Sequence, residues 1–459
     1  MSTMSLSVVI LAAGQGTRMR SSLPKVLHSI GGKPLLEHVI NAAESLNADS
    51  IHVVYGHGGE YVKEQLSGYK RLGWIEQAEQ LGTGHAVAQA LPNIETHNTV
   101  LILYGDVPLI AVDTLQTLID ATDGGASMGL LTATLDNPQG YGRIVRDASG
   151  AVAAIVEEKD TTVEQKQINE INTGMLAVAG EHLHRWLPAL SNKNSQGEYY
   201  LTDIIAMAVE DGIKVNTTAP ARLSEICGVN NKLQLAELER EYQSAQARRL
   251  MTEGVTMLDP ARFDLRGELT VGRDVVIDAN VIIEGRVELG SGVSIGANTL
   301  IKDCRISDDV TILSHCVLEQ SDIGQACHIG PYSRIRPDTV LAEKSRIGNF
   351  VEIKKATIGY GSKVNHLSYV GDAEIGKGVN IGAGTITCNY DGANKHKTII
   401  EDYAFIGSDT QLVAPVKVGR GATVGAGSTI RKDVPDNELT LSRAPQTTRA
   451  GWKRPTKNS

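Results

Sequence analysis

Aliphatic residues return at nearly every sixth position between Val271 and Ile430, and this period predicts the fold of that half of the chain. The unbroken runs are Val271, Ile277, Ile283, Leu289, Ile295 and Ile301; Ile323, Ile329, Ile335, Leu341, Ile347 and Ile353; and Ile400, Ile406, Leu412, Val418, Val424 and Ile430. A hexad is typical of a parallel β-helix, in which three six-residue sides close one coil. Because one coil cannot bury its inward aliphatic residues alone, the coils must stack. Antiparallel β-proteins alternate with period two instead, so we predict a solenoid.

The first 228 residues follow a different pattern, in which apolar runs alternate with amphipathic stretches. Strands are predicted at 8–12, 51–55, 100–103 and 129–134, and helices at 34–46, 61–66, 84–90 and 114–121. This alternation indicates an α/β domain with a largely parallel sheet covered on both faces. We therefore expect a first domain at 1–229, a connecting helix at 230–254, and a solenoid with a basic, aperiodic tail at 255–459.

Composition narrows the class of protein. The chain has 459 residues, 41% hydrophobic and 21% charged, which is ordinary for a globular protein of several domains. Its net charge of −9 argues against a nucleic-acid partner. Five dispersed cysteines without a C-x-x-C pair predict reduced thiols, and the opening apolar stretch is too short for a membrane span. We expect a cytoplasmic protein with no membrane partner.

A glycine loop after the first predicted strand is the first candidate site. Gly14 and Gly16 would let the backbone approach a phosphate, and we expect a helix start after them to offer free N–H groups. A dinucleotide fingerprint fails, because Met19 stands where its third glycine would be. Arg18 and Lys25 add cations suited to a polyphosphate. The alternative is a plain strand–turn–helix with surface cations.

These motifs, in one order along the chain, resemble a known family. The segments are L-A-A-G-Q-G-T-R-M at 11–19, L-P-K at 23–25, Q-A-E-Q-L-G-T-G-H-A at 77–86, Y-G-D-V-P at 104–108, G-Y-G-R-I at 140–144, I-V-E at 155–157, E-I-N-T-G at 170–174 and G-V-N-N at 228–231. With the hexads, the chain resembles the bacterial bifunctional N-acetylglucosamine-1-phosphate uridylyltransferase/glucosamine-1-phosphate acetyltransferases. The resemblance implies a Rossmann-like nucleotidyltransferase domain, a connecting helix and a left-handed parallel β-helix.

The resemblance also implies roles in the first domain. Residues expected to hold the nucleotide are Leu11, Ala12, Ala13, Gly14, Lys25, Gln77, Gly82, Thr83, Tyr104, Gly105 and Asp106, with Gln77, Gly82 and Thr83 reading uracil. Gly142, Glu157 and Asn172 would hold the N-acetyl sugar, and Asp106 with Asn230 would bind Mg²⁺. Taken alone, Asp106 could cap a turn before Pro108, and Asn230 could be a helix N-cap.

The reaction expected is in-line attack of a sugar 1-phosphate oxygen on the α-phosphorus of UTP, which releases pyrophosphate. It needs no protein nucleophile. Arg18, Lys25 and Mg²⁺ would position the phosphates and neutralise their charge.

A second candidate site follows from the coil geometry. Three sides of six residues make eighteen per coil, so Arg336 and Lys354 should stack at roughly 4.8 Å. Stacked cations favour a bound anion, although solvated surface charges are the alternative. His366 lies twelve residues beyond Lys354 and is a candidate general base, although a lone histidine is more often structural. Residues 387–397 lack inward aliphatics and should protrude as a loop.

The resemblance assigns this second site as well. Arg336 and Lys354 would hold the phosphate of glucosamine-1-phosphate, and His366 would deprotonate the amine that attacks acetyl-CoA. The residues implied for the sugar are Tyr369, Asn380, Asn389 and Tyr390; those implied for acetyl-CoA are Ala383, Ser408, Ala426 and Arg443. The family implies a homotrimer, in which the basic tail could reach a neighbour's CoA; a merely solubilising tail is equally compatible with composition.

Three functions remain to be distinguished. The first is a bifunctional enzyme that makes UDP-N-acetylglucosamine from glucosamine-1-phosphate, acetyl-CoA and UTP. The second is a single-activity pyrophosphorylase whose solenoid only oligomerises, and the third is a non-catalytic nucleotide-sugar sensor. The stacked cations, His366 and the 387–397 loop favour the first, because a pure scaffold needs none of them.

Overall fold

The computed structural model describes residues 5–56 and 58–457, and the chain divides into two compact units between Tyr242 and Gln243. Each unit has its own hydrophobic core. The division falls inside one helix, Lys232–Thr252.

The first unit is built on a mixed sheet of order β11-β7-β10-β6-β1-β4-β5, with the hairpin β8–β9 attached to β10. The strands of this sheet are β1 Leu6–Ala12, β4 Ser50–Tyr55, β5 Leu72–Glu76, β6 Thr99–Tyr104, β7 Ser127–Thr134, β8 Arg143–Arg146, β9 Val152–Val156, β10 Glu170–Ala179 and β11 Lys214–Thr218. A separate short hairpin consists of β2 Ser29–Ile30 and β3 Lys33–Pro34. Neighbours β1, β4, β5 and β6 run parallel, whereas β10 runs antiparallel to β6 and β7.

Helices cover both faces of this sheet, since separate apolar clusters pack on its two sides. They are α1 Leu35–Ser45, α2 Gly59–Gln65, α3 Thr83–Ala90, α4 Val112–Asp120, α5 Gly180–Trp186 and α6 Asp203–Glu210. The predicted α/β class is therefore confirmed, and the strands and helices named from the sequence lie within two residues of those observed. The antiparallel β10 could not be foreseen, because its residues lack a clear alternation.

The long helix α7 begins at Lys232 and ends at Thr252, slightly inside the predicted bounds. Leu238 is buried in the first unit with Leu235 and Tyr242 beside it. Beyond the division, Ala247 and Leu250 join the core of the second unit.

The second unit is a left-handed parallel β-helix, as predicted. The strands of one long sheet are Thr256–Met257, Val276–Ile277, Ser294–Ile295, Thr311–Ile312, His328–Ile329, Arg346–Asn349, Lys363–His366, Asn380–Ile381, Phe405–Ile406, Thr423–Val424 and Leu439–Thr440. The other sides carry Phe263–Val271, Val281–Leu289, Leu300–Lys302, Arg305–Ile306, Val317–Glu319, Ser321–Ile323, Arg334–Ile335, Thr339–Leu341, Glu352–Ile358, Tyr369–Ile375, Ile386–Cys388, Thr398–Ile400, Gln411–Val413, Val416–Val418 and Thr429–Ile430.

A uniform coil of eighteen residues is wrong for much of this unit. Ile301 pairs with Leu318 and Ile312 with Ile329, both seventeen residues on. The cause is a shortened side, since only five residues separate Ile301 from the next inward aliphatic, Ile306. The coil that runs from Arg336 to Lys354 does have eighteen residues, because Ile335 pairs with Ile353.

Each side also has a second inward position, two residues before the aliphatic one, which sequence analysis missed. It holds small buried residues such as Cys304, Cys316 and Cys327, and on the next coil Ser321, Ser333 and Ser345. The five cysteines are free, as predicted. Cys304, Cys316 and Cys327 are core residues, and their burial raises the pKa of their thiols.

Candidate active sites

A cleft of about 440 Å³ opens where β1 and β6 end in the first unit. Ligand sites of α/β sheets lie at this carboxyl edge. The cleft is lined by Leu11, Ala12, Ala13, Gly14, Gln15, Lys25, Val26, Gln77, Gln80, Gly82, Thr83, Ala86, Tyr104, Asp106 and Glu198. The structure thus gathers nearly all of the residues predicted to hold the nucleotide.

The glycine loop is shaped by Gly16, whose φ of +62° is left-handed. A Cβ at Gly16 would lie 2.7 Å from the Cβ of Lys25, so glycine allows the loop to approach that lysine closely. The expected helix start after the loop is wrong. Only a single 3₁₀ turn, Thr17–Met19, follows it, and Arg20 then leaves the helical region with φ 48°. Phosphate binding therefore rests on the loop backbone and the two cations.

Lys25 forms an ion pair with Asp106 through Nζ and Oδ2, and both side chains are largely shielded from solvent. Among the described residues, no backbone N–H donates to the Asp106 carboxylate, so the turn-capping alternative is wrong. The backbone oxygen of Asp106 instead accepts a hydrogen bond of 2.9 Å from Val229 N. That bond fixes the segment 228–230 beside the cleft.

Asn230 accepts a hydrogen bond from Arg18 Nη2 on its Oδ1, at 2.9 Å. It is not the cap of α7: Asn231 Oδ1 accepts from Gln234 N at 2.9 Å, which is the N-cap bond. The helix N-cap alternative for Asn230 is therefore wrong. Its side chain faces the cation of the glycine loop.

Gly142, Glu157 and Asn172, the residues implied for the sugar, also lie together. Asn172 N donates to Gly142 O at 2.9 Å, and a Cβ on Gly142 would lie 3.5 Å from Glu157 Oε2. Burial raises the pKa of Glu157, while the hydroxyl of Thr202 donates to its Oε1 at 2.9 Å. Glycine at 142 leaves open space in front of that carboxylate.

Tyr104 and Gly105 bring β6 against β1. Gly105 N donates to Leu11 O at 2.9 Å, and a Cβ on Gly105 would lie 3.3 Å from that of Ala12. Burial raises the pKa of Tyr104, so its hydroxyl stays protonated. Tyr104 lines the cleft, and Gly105 lets the end of β6 pack closely against β1 beside it.

The donor set at the cleft fits a hard cation. Asp106 supplies a carboxylate and Asn230 an amide oxygen, and the segment Gly228–Asn230 holds them as neighbours. Among the described residues no three His, Cys, Asp or Glu side chains cluster as a complete metal site. Mg²⁺ commonly takes one or two protein oxygens and completes its shell with substrate phosphates and water.

In the second unit, Arg336 N donates to Ile353 O at 2.8 Å, which places Arg336 over Lys354 on successive coils. Nη1 of the Arg336 guanidinium donates to Glu352 Oε1 at 2.7 Å. Sequence analysis did not predict this partner. Lys395 also lies here, and it lowers the pKa of Lys354 more than Arg336 does. Lys395 went unnoticed because it lies in the insertion, outside the hexads.

His366 ends a strand of the long sheet and is exposed. Its Nδ1 lies 2.9 Å from Asn349 Oδ1 on the preceding coil, the residue with which it pairs. An amide oxygen can only accept, so in the neutral ring Nδ1 is the nitrogen that carries the proton and Nε2 the one with the lone pair. The ring is therefore in the tautomer that a general base requires at Nε2.

Tyr369 begins the next strand and belongs to the cation cluster. A Cβ on Gly371 would lie 2.7 Å from Tyr369 Cζ and 2.9 Å from Asn389 Nδ2, and Gly371 pairs with Lys354. The hydrogen bond to Glu352 raises the pKa of Arg336, and Tyr369 adds to the same shift.

The predicted protruding loop is present, since Ile375 pairs with Ile400 twenty-five residues later. It begins at Asn389, whose Nδ2 donates to Asp372 Oδ2 at 2.6 Å. A bridge between Tyr390 and Lys395 closes it as a tight antiparallel turn. Thr387 and Cys388, predicted to be loop, instead end a strand.

Residues implied for acetyl-CoA stack in one column on successive coils. Pairing of Ile381 with Ile406 and of Ile406 with Val424 places Ala383 over Ser408 and Ser408 over Ala426. Arg443 Nη1 donates to Ala426 O at 2.8 Å. Asn380 lies on the long sheet near the start of this column. The tail after Thr440 is exposed and has no helix or strand in its described part.

Known protein families match parts of the first unit and parts of the second unit. Residues 8–168 match the MobA-like NTP transferase domain, residues 265–358 the GMPPB C-terminal domain, and residues 397–432 the bacterial transferase hexapeptide (six repeats). A crystal structure of UDP-glucose pyrophosphorylase complexed with UDP-glucose is 16% identical, covers 52% of this chain and 98% of its own, and has a TM-score of 0.44. No helix among the described residues has the length and apolarity for a bilayer span.

A relative from Methylococcus capsulatus, the bifunctional protein GlmU, is 60% identical over 455 residues, which cover 99% of this chain and 98% of the relative. Its match to both units favours two activities over the single-activity and non-catalytic alternatives. The chain belongs to the family of bifunctional GlmU proteins, with a nucleotidyltransferase domain followed by a hexapeptide acetyltransferase domain.

Proposed function

We propose that the first unit transfers UMP from UTP to N-acetylglucosamine-1-phosphate, giving UDP-N-acetylglucosamine and pyrophosphate. The observation that carries this proposal is a pair of cation–oxygen contacts at the glycine loop, of which Lys25–Asp106 lines the cleft and Arg18–Asn230 joins the loop to the segment before α7. A phosphate oxygen of the sugar attacks the α-phosphorus of UTP, a new P–O bond forms, and the bond to the β-phosphate breaks. Such a transfer depends mainly on positioning and charge neutralisation.

Lys25 and Arg18 supply that neutralisation. Each cation is held by an oxygen of Asp106 or Asn230; Lys25 lines the cleft, and Arg18 lies on the glycine loop that borders it. Backbone N–H groups of the loop from Leu11 to Gly14 hold the phosphates beside them. Preorganised cations cost little reorganisation when charge develops in the transition state.

Asp106 and Asn230 would hold Mg²⁺. Bound there, the ion supplies Lewis-acid neutralisation of the phosphates. Asp106 carries the negative charge that a cation needs, and Val229 N fixes the backbone on which both donors stand. Lys25 contacts the same carboxylate, so its charge would lie beside the phosphates that the ion would neutralise.

Two separate groups of residues distinguish the ends of the substrate. Gln77, Gly82 and Thr83 read uracil, while Gly142, Glu157 and Asn172 hold the N-acetyl sugar. The Glu157 carboxylate accepts sugar hydroxyls, and the absence of a side chain at Gly142 gives the sugar room to reach it.

For the second unit, we propose acetyl transfer from acetyl-CoA to the amine of glucosamine-1-phosphate. The amine nitrogen attacks the thioester carbonyl, a C–N bond forms, and CoA leaves as its thiol. His366 accepts the amine proton on Nε2, because Asn349 holds the proton of Nδ1. The carboxamide oxygen thus fixes which ring nitrogen acts.

The sugar phosphate is held by Arg336, Lys354 and Lys395. Repulsion from Lys395 lowers the pKa of Lys354, and a phosphate between these cations would relieve it. Tyr369, Asn380, Asn389 and Tyr390 position the sugar. Acetyl-CoA binds along the column formed on successive coils by Ala383, Ser408, Ala426 and Arg443.

We further propose that the chain works as a cytoplasmic homotrimer, as hexapeptide-repeat proteins commonly oligomerise. Support comes from exposed rings stacked along one corner: Tyr332 lies 4.7 Å from His315 and 5.2 Å from Phe350, between ring centroids. Free, buried cysteines fit a reducing compartment.

Paired assays on the full chain test both proposals. Lys25→Ala should abolish UTP-dependent pyrophosphate release and leave CoA-thiol release unchanged, whereas His366→Ala should do the reverse. Loss of both activities in either variant, or of neither, would contradict the assignment of one reaction to each unit.

A further inference from the structure

The strand β8 begins at Arg143, whose guanidinium is buried inside the first unit. The side chain is 3% exposed, and Arg143 is not among the described residues that line the cleft. A buried cation is costly unless it is paired, because it has lost its solvation by water. The contacts that compensate this charge therefore show which parts of the chain the arginine holds in place.

The guanidinium of Arg143 joins two segments through two different nitrogens. Nη1 donates a hydrogen bond to Tyr141 O, and Nη2 forms an ion pair with Glu158 Oε2 at 2.7 Å. Nε has no hydrogen-bond partner among the described residues, so the guanidinium depends on these two contacts. The planar fork of arginine reaches a carbonyl and a carboxylate together, whereas the ammonium of lysine is a single point charge.

Both contacts lie one residue away from a proposed sugar-binding residue. Tyr141 is the residue before Gly142, and Glu158 is the residue after Glu157. Glu158 also begins the 3₁₀ turn that follows Glu157, so its ion pair fixes the start of that turn. The fork of Arg143 therefore sets the distance between the backbones of Gly142 and Glu157.

The backbone of Arg143 connects the third sugar-binding residue. Arg143 pairs with Val156 on β9 and with Ile171 on β10, directly before Asn172. Asn172 N in turn donates to Gly142 O at 2.9 Å. β8 thus lies between β9 and β10, and Arg143 stands where both neighbours are in register with it.

We infer that Arg143 is a positioning residue for the sugar end: its buried fork holds Gly142, Glu157 and Asn172 around one N-acetyl sugar. The inference rests on the proposed function, in which these three residues bind the sugar. Thr202 donates to the Glu157 carboxylate, whereas Arg143 acts on the backbone that carries it. Without the fork these segments can shift apart, so the sugar loses contacts that the nucleotide does not use.

The experiment measures the KM for N-acetylglucosamine-1-phosphate and the KM for UTP separately, in the pyrophosphate-release assay of the full chain. Arg143→Lys keeps the charge but removes the fork. It should raise the KM for the sugar phosphate about 10-fold and change the KM for UTP less than about 3-fold, because a small displacement of positioning groups weakens sugar binding alone. Glu158→Gln should raise the sugar KM by less, because an amide oxygen can still accept a hydrogen bond.

The matched control on the same strand is Arg146→Lys. Arg146 pairs with Glu170 at 2.6 Å, in a more exposed place than Arg143. Surface ion pairs contribute little to stability, so both KM values should stay within about 2-fold. A rise in the sugar KM as large as that of Arg143→Lys would mean that any change in β8 disturbs the site, and it would overturn the inference.

Two further variants distinguish failure of the inference from failure of the proposed function. Glu157→Gln and Asn172→Ala alter the proposed sugar contacts directly. If neither raises the sugar KM, these residues do not bind the sugar, and the proposed function and the inference both fail. If they raise it but Arg143→Lys and Glu158→Gln do not, only the inference fails. Equal increases in both KM values for Arg143→Lys would show general support of the fold and also overturn it. If Arg143→Lys is insoluble, Glu158→Gln decides the question by the same comparison.

Discussion

Arg18 Nη2 donates to Asn230 Oδ1 at 2.9 Å, although the two residues are 212 positions apart. One stands on the glycine loop and the other just before the helix α7. This contact ties the phosphate loop to the segment that follows Cys227, and it places a neutral oxygen rather than a carboxylate opposite the arginine.

Removal of the Asn230 side chain should therefore harm metal use and loop position together. For Asn230→Ala we expect UMP transfer to fall about 10- to 100-fold, with a higher Mg²⁺ concentration at half-maximal rate, because one of two protein oxygens is lost. The measurement is pyrophosphate release against Mg²⁺ concentration. CoA-thiol release should not change.

The neighbouring Asn231→Ala is the matched control. Asn231 caps α7 through Gln234 N, so its loss should lower the free energy of unfolding by about 1 kcal/mol. It should leave the Mg²⁺ requirement unaltered. An equal change in Mg²⁺ requirement for both variants would indicate a general disturbance of the segment and not a ligand role for Asn230.

Removal of the Lys25 charge from its pair with Asp106 should strongly lower the rate of UMP transfer while changing the structure little. Lys25→Met keeps much of the apolar stem that lies against Gly16 but removes the charge. We expect UMP transfer to fall about 10²- to 10³-fold, as for loss of one preorganised charge contact in a transition state. Arg20→Met, at an exposed residue of the same loop, should stay within about 3-fold. Similar rates for Lys25→Met and the unsubstituted chain would exclude Lys25 from the reaction.

The tautomer of His366 makes Asn349 a test residue. Asn349→Ala removes the acceptor of the Nδ1 proton at 2.9 Å, so the ring can rotate or change tautomer. We expect acetyl transfer to fall about 10-fold, against about 10²- to 10⁴-fold for His366→Ala. Stopped-flow or thiol-trap assays of CoA release give both numbers. A loss in Asn349→Ala as large as in His366→Ala would point to a direct role for Asn349.

Lys395 should act on substrate affinity, because it belongs to the cation cluster and not to the proton transfer. Lys395→Ala should raise the KM for glucosamine-1-phosphate about 10-fold, with kcat changed less than about 3-fold. Lys397→Ala is the control on the same loop, since Lys397 pairs with Glu374 instead. If the two variants raise KM equally, the effect belongs to the loop's net charge rather than to a phosphate contact.

Much of the fold was readable from periodicity. The inward aliphatics of the solenoid and the alternating elements of the first unit are local patterns, so they survive without knowledge of distant contacts. The seventeen-residue coils were missed because a shortened side removes only one residue, as between Ile301 and Ile306. The single 3₁₀ turn at Thr17–Met19 was missed because an apolar-then-glycine pattern does not specify how far the helix continues.

The residues that contact the predicted site residues were harder to predict than the site residues themselves. Glu352 beside Arg336, Lys395 beside Lys354, and Asn349 beside His366 all come from other coils or from the insertion. Their side chains point outward, where no hydrophobic period constrains identity. Only the register between coils brings them together.

The buried thiols yield a last prediction, on both reactivity and pH. Burial raises the pKa of Cys304, Cys316 and Cys327, so their thiolate fraction at neutral pH is small and their sulfurs are shielded. At pH 8 a thiol reagent should react with at most Cys227 and Cys388, the two half-buried cysteines, whereas all five should react in denaturant.

The same shift sets the direction of the pH dependence of stability. An unfolded thiol titrates near 9.0, and the folded one at higher pH, so the contribution to the free energy of unfolding is complete below pH 9.0. As the pH rises through 9.0, the unfolded chain gains thiolates that the core cannot hold, and stability is lost. Cys316→Ser should not suppress this loss of stability fully, because two thiols with a raised pKa remain. The triple variant Cys304→Ala/Cys316→Ala/Cys327→Ala should reduce the loss measurably in urea titrations between pH 8 and pH 10. A triple variant with an unchanged pH slope would show that other groups govern alkaline unfolding.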